Sequence, residues 1–156
     1  MIDIKIPGFG DISLKHLVCD YSGSLSVDGI ILEGIEERLN RLSKSIDIHI
    51  VTADTHGRVE SELVGVKCKL VMITGEDQDV QKLHYVENLG PGNVVAIGNG
   101  NNDRKMLASA RIGIAVCLNE GVSSDALKAA TLMVKSPMDA LDLLRYPNRL
   151  KATLSH

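Results

Sequence analysis

The spacing of apolar residues changes along this chain. Ile2, Ile4 and Ile6 alternate with Asp3 and Lys5, the period-two pattern of a half-buried strand. Pro7-Gly8-Phe9-Gly10 is a turn, and residues 12–19 form a second strand-like run, so the chain is expected to open with a hairpin. Glycines punctuate residues 21–34, and Asp28-Gly29 there is a favourable hairpin turn that predicts a small β flap. After Gly34 the period becomes helical: Ile35, Leu39 and Leu42 share a face, with Glu36, Glu37, Arg38 and Lys44 elsewhere.

From there strands and helices alternate. Strands are expected at 47–51, 68–73, 94–97, 112–116 and 131–134, and helices at 54–63, 77–89, 102–110, 123–130 and 138–145. Gly65 and Gly90-Pro91-Gly92 are stop signals. The tail after Tyr146-Pro147 is polar and is expected to fray. This alternation implies βαβ units: an α/β fold with a mainly parallel sheet between two helical layers, carried by one domain over residues 1–156. Ligands of such sheets bind beyond the carboxyl ends of the strands, which singles out Asp20, Thr52, Thr74, Asn99 and Cys117.

Composition narrows the function. Apolar residues make up 44% of the 156, but there is no Trp, one Phe and three Tyr, so the core is aliphatic and stacking platforms for single-stranded nucleic acid are scarce. The net charge of −3 gives no global field for a nucleic-acid backbone. Cys19, Cys68 and Cys117 fit no zinc spacing and read as small buried thiols in a reducing compartment. The N-terminus lacks the layout of a secretion signal, and no apolar run approaches the ~20 residues of a membrane span. The expectation is a soluble, cytoplasmic protein without membrane or nucleic-acid partners.

Each strand end has a chemical reading and a plainer one. Asp20 can act as a nucleophile on phosphorus or as a metal ligand, or it caps a turn. Gly23 allows backbone amides to approach a phosphate. Thr52 can donate to a phosphate oxygen, or caps the following segment in competition with Asp54. Lys82 can neutralise a phosphate and hold a carboxylate, or is a solvated surface lysine. Asn99 and Asp103, four residues apart, can join Asp20 around one Mg²⁺, or form a turn and a helix cap.

Taken together and in this order, these elements resemble the haloacid-dehalogenase superfamily of phosphohydrolases and P-type ATPases. Asp20-Tyr21-Ser22-Gly23-Ser24 is similar to the first motif in its ATPase form, Asp-Lys-Thr-Gly-Thr. Val51-Thr52-Ala53-Asp54 is similar to the second, Lys82 has the interval of the third, and Gly98-Asn99-Gly100-Asn101-Asn102-Asp103 is similar to the fourth, Gly-Asp-Gly-x-Asn-Asp. The run 112–116 also resembles the strand that follows in the ATPases, so the likeness extends from about residue 14 to residue 144.

The resemblance implies a Mg²⁺-dependent phosphohydrolase on a Rossmann-like, three-layer fold. Asp20 would become an aspartyl-phosphate. Mg²⁺ would be held by Asp20, the Ser22 carbonyl, Asn99 and Asp103. Thr52 and Lys82 would bind phosphoryl oxygens, and Asn102 would hold the phosphate or the loop. Two positions depart from the pattern. Ser22 stands where the phosphatases carry a second Asp as acid and base, and losing that help costs roughly 10²–10⁴-fold, so slow dephosphorylation is expected. Asn99 replaces an Asp, which weakens Mg²⁺ binding. The gaps between Asp20, Thr52 and Lys82 leave no room for a cap domain, and capless relatives act on large substrates or close the site by oligomerising. The expected partner is a phosphorylated small molecule or macromolecule, and the N-terminal hairpin is available for a homo-oligomer. The alternative reading is a non-catalytic binding or regulatory module of the same fold.

Overall fold

The computed structural model of the protein describes residues 1–53 and 57–156. The chain opens with strands β1 (Ile2–Ile6) and β2 (Gly10–Leu14), an antiparallel hairpin. The apolar run expected as one strand over 12–19 is two: β2 ends at Leu14 and β3 begins at His16 (His16–Cys19). Lys15 is the hinge, because its N–H donates to Asn93 and its carbonyl accepts from Asp47, which draws the chain out of the hairpin and into the main sheet.

The flap follows as β4 (Ser26–Val27) and β5 (Ile30–Ile31), joined by a turn in which Asp28 and Gly29 both have positive φ. Then come α1 (Ile35–Leu42), β6 (Asp47–Thr52), α2 (Val59–Glu62), β7 (Lys69–Met72) and α3 (Gln78–Leu89). The remainder is β8 (Val94–Gly98), α4 (Arg104–Ser109), β9 (Ile112–Val116), α5 (Ser124–Ala129), β10 (Leu132–Val134), α6 (Pro137–Arg145) and α7 (Pro147–Leu154). Of the helix expected over 54–63, residues 54–56 lie outside the described residues, and α2 is its last part.

Six strands form one parallel sheet in the order β10-β9-β8-β3-β6-β7. Its central strands are buried on both sides, so they read as continuous apolar runs. The period of two sends Leu17, Cys19, Ile50, Val95 and Ile97 to one face, where they pack with α1, α6 and the hairpin. Val18, Val51, Val94 and Ala96 go to the other, against Val86 of α3, Met106 and Leu107 of α4 and Ala126 of α5. Among the described residues no second domain is inserted between the strands, and no helix is long and apolar enough to cross a membrane.

The tail departs from expectation. Instead of fraying it forms α7, because Pro147 pre-sets the first turn and Leu150 and Leu154 share a face. Leu150 is wholly buried, and the last amide, of His156, donates to the Pro7 carbonyl in the hairpin at 2.9 Å. The cysteines also differ from one another: Cys19 is buried, Cys68 half-buried and Cys117 exposed.

Candidate active site

Asp20 directly follows β3. Its N–H still donates to Ile97 of β8 at 2.9 Å, so the carboxylate is fixed at the carboxyl edge of the sheet. The chain then reverses through Gly23 (φ 77°), where an added Cβ would lie 2.4 Å from Asn99 Nδ2. Only glycine allows both the turn and that approach. The reversal is anchored by Tyr21, a fully buried ring whose hydroxyl donates to Gly29 in the flap at 2.9 Å. Its carbonyl accepts from the amides of Ser24, Leu25 and Ser26.

The reversal turns Ser24 inward. Its buried hydroxyl is 3.1 Å from Asp20 Oδ2 and 3.2 Å from Asn99 Oδ1. One hydroxyl carries one proton, so the two acceptors share it. Ser22 faces outward and is exposed.

Lys82 is delivered by α3, from the face it shares with buried Val86. Its ammonium is 2.9 Å from Asp20 Oδ1 and 2.8 Å from Asp103 Oδ1, and it is only 1% exposed. Asp103, fully buried, uses its second oxygen to accept the amides of Asn99 (2.9 Å) and Gly100 (3.0 Å). That closure requires Gly98, where a Cβ would sit 2.6 Å from Asp103 Cβ. Asp103, expected as a metal ligand, thus meets the lysine with one oxygen and the loop amides with the other. Asn99 Nδ2 donates to the Gly121 carbonyl at 3.2 Å, which orients its Oδ1 toward Ser24. Asn102 Nδ2 donates to Gln78 Oε1 at 3.1 Å and so ties the loop to the start of α3.

Burial and the neighbouring charge of Asp103 push the Asp20 carboxyl up to about 7, against the opposing pull of Lys82. Burial acts to lower the Lys82 ammonium, but the two carboxylates outweigh it and its net shift is upward. The pocket therefore holds one carboxylate more than its ammonium can neutralise. A site that withdraws groups from water yet stays electron-rich is suited to a cation and a transferring anion.

Asp20, Lys82, Asn99 and Asp103 are thus brought into one connected cluster. Thr52 ends β6, which pairs with β3, so this 2%-exposed residue lies at the same edge of the sheet. Asp54 lies outside the described residues. Thr74 and Cys117 are exposed and take no part in the cluster. The sequence reading did not assign Ser24 or Tyr21. The signal for Ser24 was the second hydroxyl of Ser22-Gly23-Ser24, which the glycine reversal turns inward; nothing local distinguishes Tyr21 from an ordinary loop aromatic.

A family model of haloacid dehalogenase-like hydrolases matches residues 77–139, which span Lys82 and the Gly98–Asp103 loop. An uncharacterised protein of Methanocaldococcus jannaschii is 44% identical over 80 residues, 49% of this chain and 86% of that protein. The ATP-binding subunit of a potassium-transporting ATPase from Thermoplasma volcanium is 26% identical over 129 residues; they cover 80% of this chain and 19% of the subunit. Among solved structures, 3-deoxy-D-manno-octulosonate 8-phosphate phosphatase from Moraxella catarrhalis, in complex with magnesium, phosphate and the sugar acid, shares the fold. Its TM-score is 0.67 at 19% identity, with 90% of this chain and 91% of that one aligned. The motifs, the sheet and these likenesses agree, and the chain belongs to the haloacid dehalogenase-like hydrolases.

Proposed function

We propose that the protein is a divalent-metal-dependent phosphohydrolase that works through an aspartyl-phosphate on Asp20. The observation that carries this reading is the Lys82 bridge: one buried ammonium holds Asp20 by Oδ1 while Asp103 locks the glycine loop beside it. The bridge leaves Asp20 fixed and partly neutralised, as a carboxylate must be to approach an anionic phosphate.

The donor set fits Mg²⁺. Asp20 Oδ2 and Asn99 Oδ1 converge on one Ser24 hydroxyl, so two hard oxygens already face a common point. Among the described residues no group of three or more His, Cys, Asp or Glu is arranged for a metal, so the proposed set is mixed: the Asp20 and Asp103 carboxylates, the Asn99 amide oxygen and the Ser22 carbonyl. Asp103 also holds the loop. When bound, the ion would offset charge repulsion between nucleophile and phosphate.

The chain's own residues supply the remaining steps. Asp20 attacks phosphorus, the leaving oxygen departs, and water later hydrolyses the acyl phosphate. Lys82 and the Thr52 hydroxyl bind the phosphoryl oxygens, and the backbone around Gly23 approaches them. Ser22 is a poor proton donor at neutral pH, so substrates with good leaving groups are favoured and turnover is slow. The open edge of the sheet suits phosphorylated small molecules or exposed phosphates on macromolecules. The deciding measurement is Mg²⁺-dependent hydrolysis of p-nitrophenyl phosphate by wild type and Asp20→Asn. Hydrolysis is expected in the first and its loss in the second. An inert wild type or equal rates would overturn the reading in favour of a binding module.

A further inference from the structure

Farther back along the same strands lies a second, partly buried polar chain that the phosphoryl site does not use. His16 Nδ1 is 3.0 Å from His49 Nε2, and His49 Nδ1 is 2.7 Å from the Tyr85 hydroxyl. His49 is 7% exposed and its ring meets Tyr85 edge-on at 5.4 Å. The three residues come from β3, β6 and α3, the elements that carry Asp20, Thr52 and Lys82. His16 precedes Asp20 by four positions, His49 precedes Thr52 by three, and Tyr85 follows Lys82 by less than one helical turn.

We infer that Tyr85, His49 and His16 are positioning residues that clamp α3 on the sheet and so make the placement of Lys82 sensitive to protons. Its consequence for activity rests on the phosphohydrolase reading; the coupling itself does not.

The hydrogen-bond count explains the sensitivity. With both imidazoles neutral, each of the two contacts holds one proton and the chain is complete. One added proton is tolerated, because His49 then donates through both nitrogens, to the Tyr85 oxygen and to His16 Nδ1. A second is not: His16 Nδ1 would carry a proton as well, and two donors and two like charges would face each other across 3.0 Å. The His16–His49 contact must break, and the His49 ring, whose other nitrogen holds the Tyr85 hydroxyl and so α3, has to shift.

The surroundings set where this happens. Asp47 Oδ2, on β6 and largely exposed, is 3.7 Å from His16 Nδ1. Lys69, the register partner of His49 on β7, opposes charging of His49. β8 offers Val94, without charge, beside His16. Burial first, then the His16 charge, holds His49 below its ordinary value. His49 therefore takes up a proton only on the acid side of neutrality.

The test is an NMR titration of the histidine rings and the α3 amides from about pH 8 to about pH 5, in an Asp20→Asn background so that Asp20 contributes no ionisation. The His49 ring is expected to titrate below its ordinary range, and the Lys82 and Val86 amides to shift as the His16–His49 contact breaks. Tyr85→Phe keeps the ring and removes the hydroxyl; there the histidines still titrate but the α3 amides no longer follow. Amides that respond equally in both proteins, or in neither, overturn the inference, as does a His49 that titrates in its ordinary range. In the Asp20-containing enzyme, the acid limb of kcat/KM is expected to change on Tyr85→Phe. A wild type that shows the coupling but hydrolyses no phosphate ester overturns the phosphohydrolase reading and leaves the clamp standing.

Discussion

Lys82 and Asp103 meet at 2.8 Å with neither side chain open to solvent. The same ammonium is the partner of Asp20, so removing it would leave two carboxylates buried together. Lys82→Ala is expected to destabilise the metal-free protein by roughly 3–5 kcal/mol, the usual cost of orphaning a buried charge. Urea unfolding of the two proteins measures the difference. A loss below about 1 kcal/mol, the worth of a surface pair, would mean that the pocket fills with water on its own.

Asp20 gives a pH dependence of definite sign. Its carboxyl is raised from an ordinary 3.8 to about 7 by burial and by Asp103. A group raised on folding contributes stability that is present below its unfolded value and is lost as pH rises through its folded value. In EDTA the protein should therefore lose stability, on the order of a few kcal/mol, between about pH 4 and about pH 7. Asp20→Asn should flatten that slope. Mg²⁺ should raise the melting temperature more at neutral pH than in acid, because it favours the ionised carboxylate. Thermal unfolding across pH with and without the ion checks all three.

Asn99→Asp restores the carboxylate usual at this position, with opposing effects. Mg²⁺ should bind about tenfold or more tightly, since a charge replaces a dipole. The metal-free protein should lose roughly 1–3 kcal/mol, because the amide that donates to Gly121 at 3.2 Å becomes an acceptor facing an acceptor. Calorimetric titration with Mg²⁺ and unfolding in EDTA separate the two.

Ser22→Asp addresses turnover. Ser22 is exposed, so the change should alter stability by no more than about 0.5 kcal/mol. If the missing acid limits the rate, turnover of an alkyl phosphate should rise roughly tenfold or more, and that of p-nitrophenyl phosphate by less, because its leaving group needs little help. Steady-state assays on both substrates decide this, and an unchanged alkyl rate would place the limit elsewhere.

Leu150→Ala tests the C-terminal helix. The side chain is fully buried, and its truncation should cost roughly 2–5 kcal/mol in chemical denaturation. It lies in α7, which the site does not use. Phosphatase activity per folded molecule should remain at the wild-type level below the melting transition.

Most of the fold was legible because each layer of the sheet imposes its own period. The apolar runs at β8 and β9, the amphipathic face of Ile35, Leu39 and Leu42, and the Asp28-Gly29 turn all encode their structures locally. The break at Lys15 did not, since its two backbone partners, Asn93 and Asp47, are distant in sequence. Nor did α7: a polar tail becomes a helix because the hairpin covers one leucine.

The candidate site divides in the same way. The sequence by itself determined which groups reach the carboxyl edge of the sheet, because strand ends and glycine loops are set by neighbouring residues: Asp20, Thr52, Asn99 and Asp103. Only the tertiary structure decided what each group does there. A lysine at the fifth position of a helix looks solvated until α3 packs beside β3 and drives its ammonium between two carboxylates. Asp103 locks the glycine loop only once that loop has folded around it and Lys82 has packed against it. Ser24 acquires a role only when Gly23 turns it between Asp20 and Asn99, 75 positions apart in the chain from Ser24 to Asn99. Period and propensity act between near neighbours, whereas charge and hydrogen bonding act through space, so the chemistry of these residues exists only once the sheet has assembled.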